Sequence, residues 1–172
     1  MAISINDLRN ASYRFRTIRT KTLDEARASS FKTAFLCHSH KDQDLVKGLV
    51  TLFTESDWQI YVDWADESMP ETPNRQTAGN IKQKIVDHNL FLFLATANSM
   101  ASRWCPWEIG YADGKKQIDQ ILIIPTTDGA KTHGNEYLDL YRKIDWGYLN
   151  QLRGDLAVWR PGETNGIWLR NF

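Results

Sequence analysis

A chain of 172 residues, 42% of them apolar, is long enough for one domain with a sizeable core and too apolar for a disordered segment. Lysines and arginines number 21, as do aspartates and glutamates, so no overall field draws the chain toward nucleic acid or an anionic membrane. The longest apolar runs fall far short of the roughly 20 residues that span a bilayer, and the 2 cysteines suit a reducing cytoplasm better than a disulfide scaffold.

In chain order, Ser4-Ile-Asn-Asp7 resembles a capping box, and Ile5, Leu8, Tyr13 and Phe15 loosely follow helical spacing. Together with Arg9, Arg14, Arg16, Arg19 and Lys21 they predict a basic helical extension over residues 1–30 that precedes the core. A domain is predicted over 31–153. It opens with the short apolar run Thr33-Ala-Phe-Leu-Cys37, stopped by His38-Ser-His-Lys-Asp42, and Leu45, Leu49, Leu52 and Phe53 then recur at helical spacing. A second strand at Gln59 to Asp63 runs into an acidic, proline-containing loop from Trp64 to Asn74, followed by a helix carrying Ala78, Ile81 and Ile85. Leu90-Phe-Leu-Phe-Leu-Ala95 and Ile121-Leu-Ile-Ile124 are apolar on both faces, as central strands of a parallel sheet are. Further on, the expectations are a helix over Asn135 to Lys143, a short strand at Ile144-Asp-Trp146 and a helix from Gly147 to Leu152. Residues 154–172 form a C-terminal extension, with Leu156 to Arg160 and Gly166 to Arg170 placed to pair as a hairpin.

Alternating strands and helices predict an α/β fold of three layers, with a central, mostly parallel five-stranded sheet in the order 2-1-3-4-5. Ligands of such sheets bind beyond the carboxyl ends of the strands, at the switch point between strands one and three. Three loops reach that point: His38 to Asp42, Asp63 to Asn74, and Thr96 to Glu108. Glu108 follows Pro106, a residue favoured in the first turn of a helix, where unpaired N–H groups and the helix dipole favour an ionised carboxylate. A glutamate so placed can be a simple capping acid. Trp104, however, stands four residues earlier and shares the helical face, giving a stacking surface beside a negative charge. A planar cationic ring fits such a pair, and the nicotinamide of oxidised NAD is one; its departure as a neutral group needs no general acid, so a single carboxylate suffices to stabilise the oxocarbenium-like transition state.

Two runs resemble a known family. Phe35-Leu-Cys-His-Ser-His-Lys-Asp42 is similar to the opening strand and loop of Toll/interleukin-1 receptor (TIR) domains, and Ser102-Arg-Trp-Cys-Pro-Trp-Glu108 resembles the family's Ser-x-Trp-Cys-x-x-Glu segment. The resemblance implies a flavodoxin-like fold, and it implies that Glu108 is the catalytic residue, as the matching glutamate is in NAD-cleaving members. It also implies self-association through the 64–74 loop, which completes the site, and a cyclic or modified ADP-ribose signal for a downstream effector in antiphage defence of the Thoeris type. NAD is then substrate, with no resident cofactor.

Other residues keep two readings each. His38 and Ser39 line a phosphate or ribose pocket, or are a loop histidine and a capping serine. Asp63 holds ribose hydroxyls or satisfies loop amides, with Trp64 beside it near the same crevice, and Thr96 opens the loop that leads to Glu108. The spacing of Cys37, His38, His40 and Cys105 supports neither a metal site nor a Cys–His nucleophile, and no glycine-rich dinucleotide loop is present. Two alternatives to the NAD-cleaving enzyme stand: a non-catalytic adaptor working by homotypic assembly, and, more remotely, a nucleoside deoxyribosyltransferase-like enzyme.

Overall fold

A computed structural model describes residues 2–15, 23–64, 74–149 and 152–172. The segment 65–73, to which self-association was assigned, and Arg16, Arg19 and Lys21 lie outside the described residues. In chain order the elements are β1 (Ile3–Ser4), α1 (Ile5–Ser12), α2 (Leu23–Ala28), β2 (Lys32–Cys37), α3 (Gln43–Glu55), β3 (Ile60–Asp63), α4 (Arg75–Asp87), β4 (Leu90–Ala95), α5 (Ala97–Met100), α6 (Cys105–Asp113), β5 (Ile121–Asp128), β6 (Lys131–His133), α7 (Asn135–Leu138), β7 (Arg142–Leu149), β8 (Leu152–Trp159) and β9 (Ile167–Trp168). None of these helices is long and apolar enough to cross a membrane.

Among the described residues the strands join in one sheet that runs β3-β2-β4-β5-β7-β8-β9. Pairings from β3 through β7 are parallel; β8 and β9 add on antiparallel. β1 (parallel) and β6 (antiparallel) both pair with the far end of β5. The architecture is thus a mixed α/β fold with a mostly parallel sheet, wider than the five strands expected.

Side chains alternate across a strand with a period of two, and this sorts the doubly apolar runs into two cores. Ala34 and Leu36 of β2, Leu90, Leu92 and Leu94 of β4, and Leu122 and Ile124 of β5 face α1 and α3, where they meet Leu8, Leu49 and Phe53. Phe35, Cys37, Phe91, Phe93, Ala95, Ile121 and Ile123 face α4 and α6, against Ile81, Ile85, Ile109 and Ala112. Each fully buried leucine or phenylalanine side chain contributes on the order of 1.5–3 kcal/mol, and the sheet is therefore held from both sides.

Three expectations are corrected. The N-terminal segment belongs to the core and does not precede it: Ile3, Leu8 and Ala11 are fully buried, and α1 ends at Ser12. A Cβ on Gly48 of α3 would stand 1.9 Å from the Leu8 carbonyl oxygen, so only glycine permits the approach of α1. The helix expected over Gly147 to Leu152 is instead the end of β7 and the start of β8, because Ile144, Trp146, Leu156 and Val158 alternate into the core. That register places the 153/154 domain boundary inside β8. The helix expected over Asn135 to Lys143 is confined to Asn135–Leu138. The C-terminal hairpin is present, with Ala157 opposite Trp168.

Candidate active site

Glu108 sits in the first turn of α6 and is 3% exposed. Trp104 occupies the N-cap, and Pro106 fills the second helical position, where its missing N–H costs nothing. The Glu108 amide donates to the Trp104 carbonyl at 2.9 Å, so the two side chains stand one turn apart on the same side of the helix. Trp104 is half-buried, and its ring meets Trp107 edge-on at 5.5 Å between centroids. Trp107 in turn stacks on Tyr111 at 6.0 Å, and the Lys82 ammonium of α4 lies 5.3 Å from the Tyr111 ring centre. These contacts brace the helix that carries the carboxylate.

Beneath α6 lies the end of β2. Parity turns Cys37 toward the α6 face, and its thiol contacts the Cys105 carbonyl at 3.9 Å. Burial pushes the Cys37 thiol well above its ordinary value, helped by its hydrogen bond with Cys105 and by the negative charge of Glu108. A protonated thiol therefore faces the carboxylate. Tyr137, after β6, packs edge-on against Phe93 at 5.5 Å, and burial, Glu136, Cys37 and Cys105 together raise its hydroxyl. Tyr141 closes the same side: its hydroxyl donates to Asp113 of α6 at 2.8 Å and is pushed up to about 12 by burial and by that aspartate. Cys37, Tyr137 and Tyr141 were not read as site residues. Strand parity alone would have selected Cys37; the two tyrosines pack on the α6 side of the sheet through tertiary contacts, for which the sequence carries no local signal.

The other expected residues are dispersed. Asp63 is on the α4 side of β3, but Lys84 holds it at 3.3 Å and His88 stands 3.9 Å away. Trp64 turns to the opposite face, packing on the α1–α3 core and edge-on to Phe15 at 6.4 Å. His38 folds back, with Nδ1 2.9 Å from the Leu36 carbonyl. Ser39 is buried and accepts from the Lys41 amide at 3.4 Å, as a cap. Thr96 caps α5 through a reciprocal arrangement with Ser99 and donates its hydroxyl to Asp42 at 2.5 Å; Asn98 donates to the other Asp42 oxygen at 2.6 Å. Asp42 thus ties together the two turns that follow β2 and β4. Among the described residues no group of three or more His, Cys, Asp or Glu is arranged to hold a metal ion.

Residues 34–153 match the family model of the TIR domain. A protein of Bacillus cereus (strain MSX-D12) named Probable 3' cyclic ADP-D-ribose synthase ThsB' is 33% identical over 116 residues, which cover 66% of this chain and 60% of that protein. A protein of Cytobacillus dafuensis named Putative cyclic ADP-D-ribose synthase TIR2 is 30% identical over 81 residues, 45% of this chain and 21% of that protein. The chain therefore spans well under two thirds of the length of the second relative and 60% of the first.

Proposed function

Because the chain belongs to the TIR domain family, we propose that it cleaves the nicotinamide–ribose bond of NAD and forms a cyclic or otherwise modified ADP-ribose signal, in antiphage immunity of the Thoeris type. The observation that carries this reading is the Glu108 carboxylate, buried one helical turn from Trp104. Both relatives are named as cyclic ADP-D-ribose synthases, which supports the same chemistry.

In the proposed reaction Trp104 stacks on the nicotinamide. As the bond to ribose breaks, its electron pair leaves with the ring and neutralises it, while positive charge develops on the ribose. The Glu108 carboxylate stabilises that charge in a site already organised for it. A hydroxyl of the same ADP-ribose then attacks, forming a new C–O bond and losing its proton, and the ring closes; attack by water gives the linear product instead. NAD is substrate, and no resident cofactor or metal takes part. A second copy, joined through the 64–74 segment, completes the pocket, and the product acts on a downstream effector.

Incubation of the purified chain with NAD, followed by chromatography of nicotinamide and the ribosyl products, tests the reading. Glu108→Gln should lower nicotinamide release at least about 100-fold with thermal unfolding unchanged; equal turnover by a folded variant would refute the assignment. Filaments or dimers without turnover at high protein concentration would point to an adaptor, and turnover of deoxynucleosides but not NAD to a deoxyribosyltransferase.

A further inference from the structure

A cavity of about 520 Å³ opens on the α1–α3 side of the sheet, beyond the carboxyl ends of β2, β4 and β5. Neither Trp104 nor Glu108 lines it. It sits where the chain order reverses, since β2 has β3 on one flank and β4 on the other; crevices at that point of an open α/β sheet bind ligands, and the volume falls within the roughly 300–1,000 Å³ of small-molecule pockets.

Its walls come from α1, the start of α3, the start of α5 and the β5–β6 hairpin. His133 lines it from the hairpin, is 6% exposed, and has no hydrogen-bond partner among the described residues. A polar ring that lines a cavity offers its hydrogen-bonding atoms to a ligand there. The hairpin that presents it is fixed: Gly134 has φ of 87°, and a Cβ there would meet the Ala95 side chain at 2.6 Å. Arg9 and Lys41 also line the cavity, and neither is ion-paired among the described residues. The lining acids are mostly committed. Asp42 accepts from Thr96 and Asn98, and Asp44 holds Lys47 at 3.1 Å; Asp128 remains. Ile5 and Leu45 supply an apolar wall, and Tyr13 leaves a ring 87% exposed at the rim.

Two unpaired cations and an unpartnered imidazole suit a phosphate, a carboxylate suits ribose hydroxyls, and an exposed aromatic beside apolar side chains suits a base. We propose that this cavity is a second ligand site, separate from Glu108 and across the sheet from it, and that it takes a nucleoside diphosphate. The assignment is independent of NAD cleavage. One wall is α1, so occupancy joins the N-terminal helix to the turns after β2 and β4.

Isothermal titration of the purified full chain with ADP tests this, with adenosine and inorganic phosphate as separate probes. Arg9→Ala and Lys41→Ala, both at exposed positions, should each weaken ADP binding at least tenfold. Glu108→Gln and Trp104→Ala should leave it within twofold, and the His133 ring resonances should shift on saturation. ADP should bind at least tenfold more tightly than either adenosine or phosphate. The proposal is overturned by absence of ADP binding up to millimolar concentration, by binding that depends on Trp104 and not on Arg9, or by phosphate binding as tightly as ADP. No readout requires NAD turnover, so a negative result leaves the Glu108 assignment untouched.

Discussion

The thiol of Cys37, at the end of β2, donates to the backbone carbonyl of Cys105, the first residue of α6, at 3.9 Å. A buried polar group needs a partner, and here the strand beneath the helix supplies one to the first turn of α6, which also carries Glu108. Cys37→Val keeps the apolar contacts and removes the donor. Stability should fall by about 0.5–1.5 kcal/mol, the contribution of a typical intramolecular hydrogen bond, with Cys37→Ser recovering part of it in urea unfolding. Native thiols should also resist Ellman's reagent at pH 8, since Cys37 and Cys105 are at most 1% exposed, and both should react once the chain is unfolded.

His88 governs a pH dependence. Its ring is buried, stacks on Tyr61 at 6.0 Å and donates from Nδ1 to the Lys84 carbonyl at 2.7 Å, with Asp63, Arg27 and Lys116 around it. Burial dominates and holds its pKa below the ordinary 6.5, against the opposing pull of the Lys84 carbonyl and Asp63. The unfolded chain therefore takes up this proton first as pH falls. The stabilisation is complete above pH 6.5 and is lost between that value and the lower folded pKa. Thermal midpoints measured from pH 8 to pH 5 should decline below pH 6.5, and His88→Gln should flatten that limb.

Two glycines in helices should respond oppositely to alanine. Gly48→Ala drives a Cβ into the Leu8 backbone and should cost about 3 kcal/mol or more, the upper range for overpacking. Gly79→Ala, in α4 with nothing within 4 Å of the new methyl, should stabilise by about 0.5–1 kcal/mol. Urea midpoints of the two variants decide the matter.

Asp42→Ala should loosen both turns that it joins. The side chain accepts from Thr96 and Asn98 while 3% exposed, so its removal leaves the buried Thr96 hydroxyl short of its strongest acceptor, at a cost of about 1–3 kcal/mol. Hydrogen exchange should accelerate at α5 and at the start of α3, with the amides of β4 keeping their protection.

Much of this architecture could be read from the chain. Leu90 to Ala95 announced a central strand, and the helix bearing Trp104 and Glu108 followed from Pro106 and the spacing of its neighbours. Parity carried more information than the motifs did. Ile60 and Val62 face the α1–α3 core and Trp64 follows them, while Asp63 faces the other way; His38 shares the parity of Ala34 and Leu36, and Cys37 lies under α6. What stayed hidden was tertiary. Nothing local to Leu8 reveals that Gly48 is its seat. The pattern around Gly147 reads as helix until Trp168 packs over it, 2.3 Å from where a Cβ would be.

The pairing of Ile3 with Thr126 sets a constraint on vectorial synthesis. Ribosomes deliver roughly 5–20 residues per second, so β1, made well before β5, waits several seconds for the only edge it pairs with among the described residues. α1 can settle on α3 in the meantime. A nascent chain stalled before Thr126 would leave Ile3 without its partner strand, and β1 should be a segment that chaperones and proteases reach early.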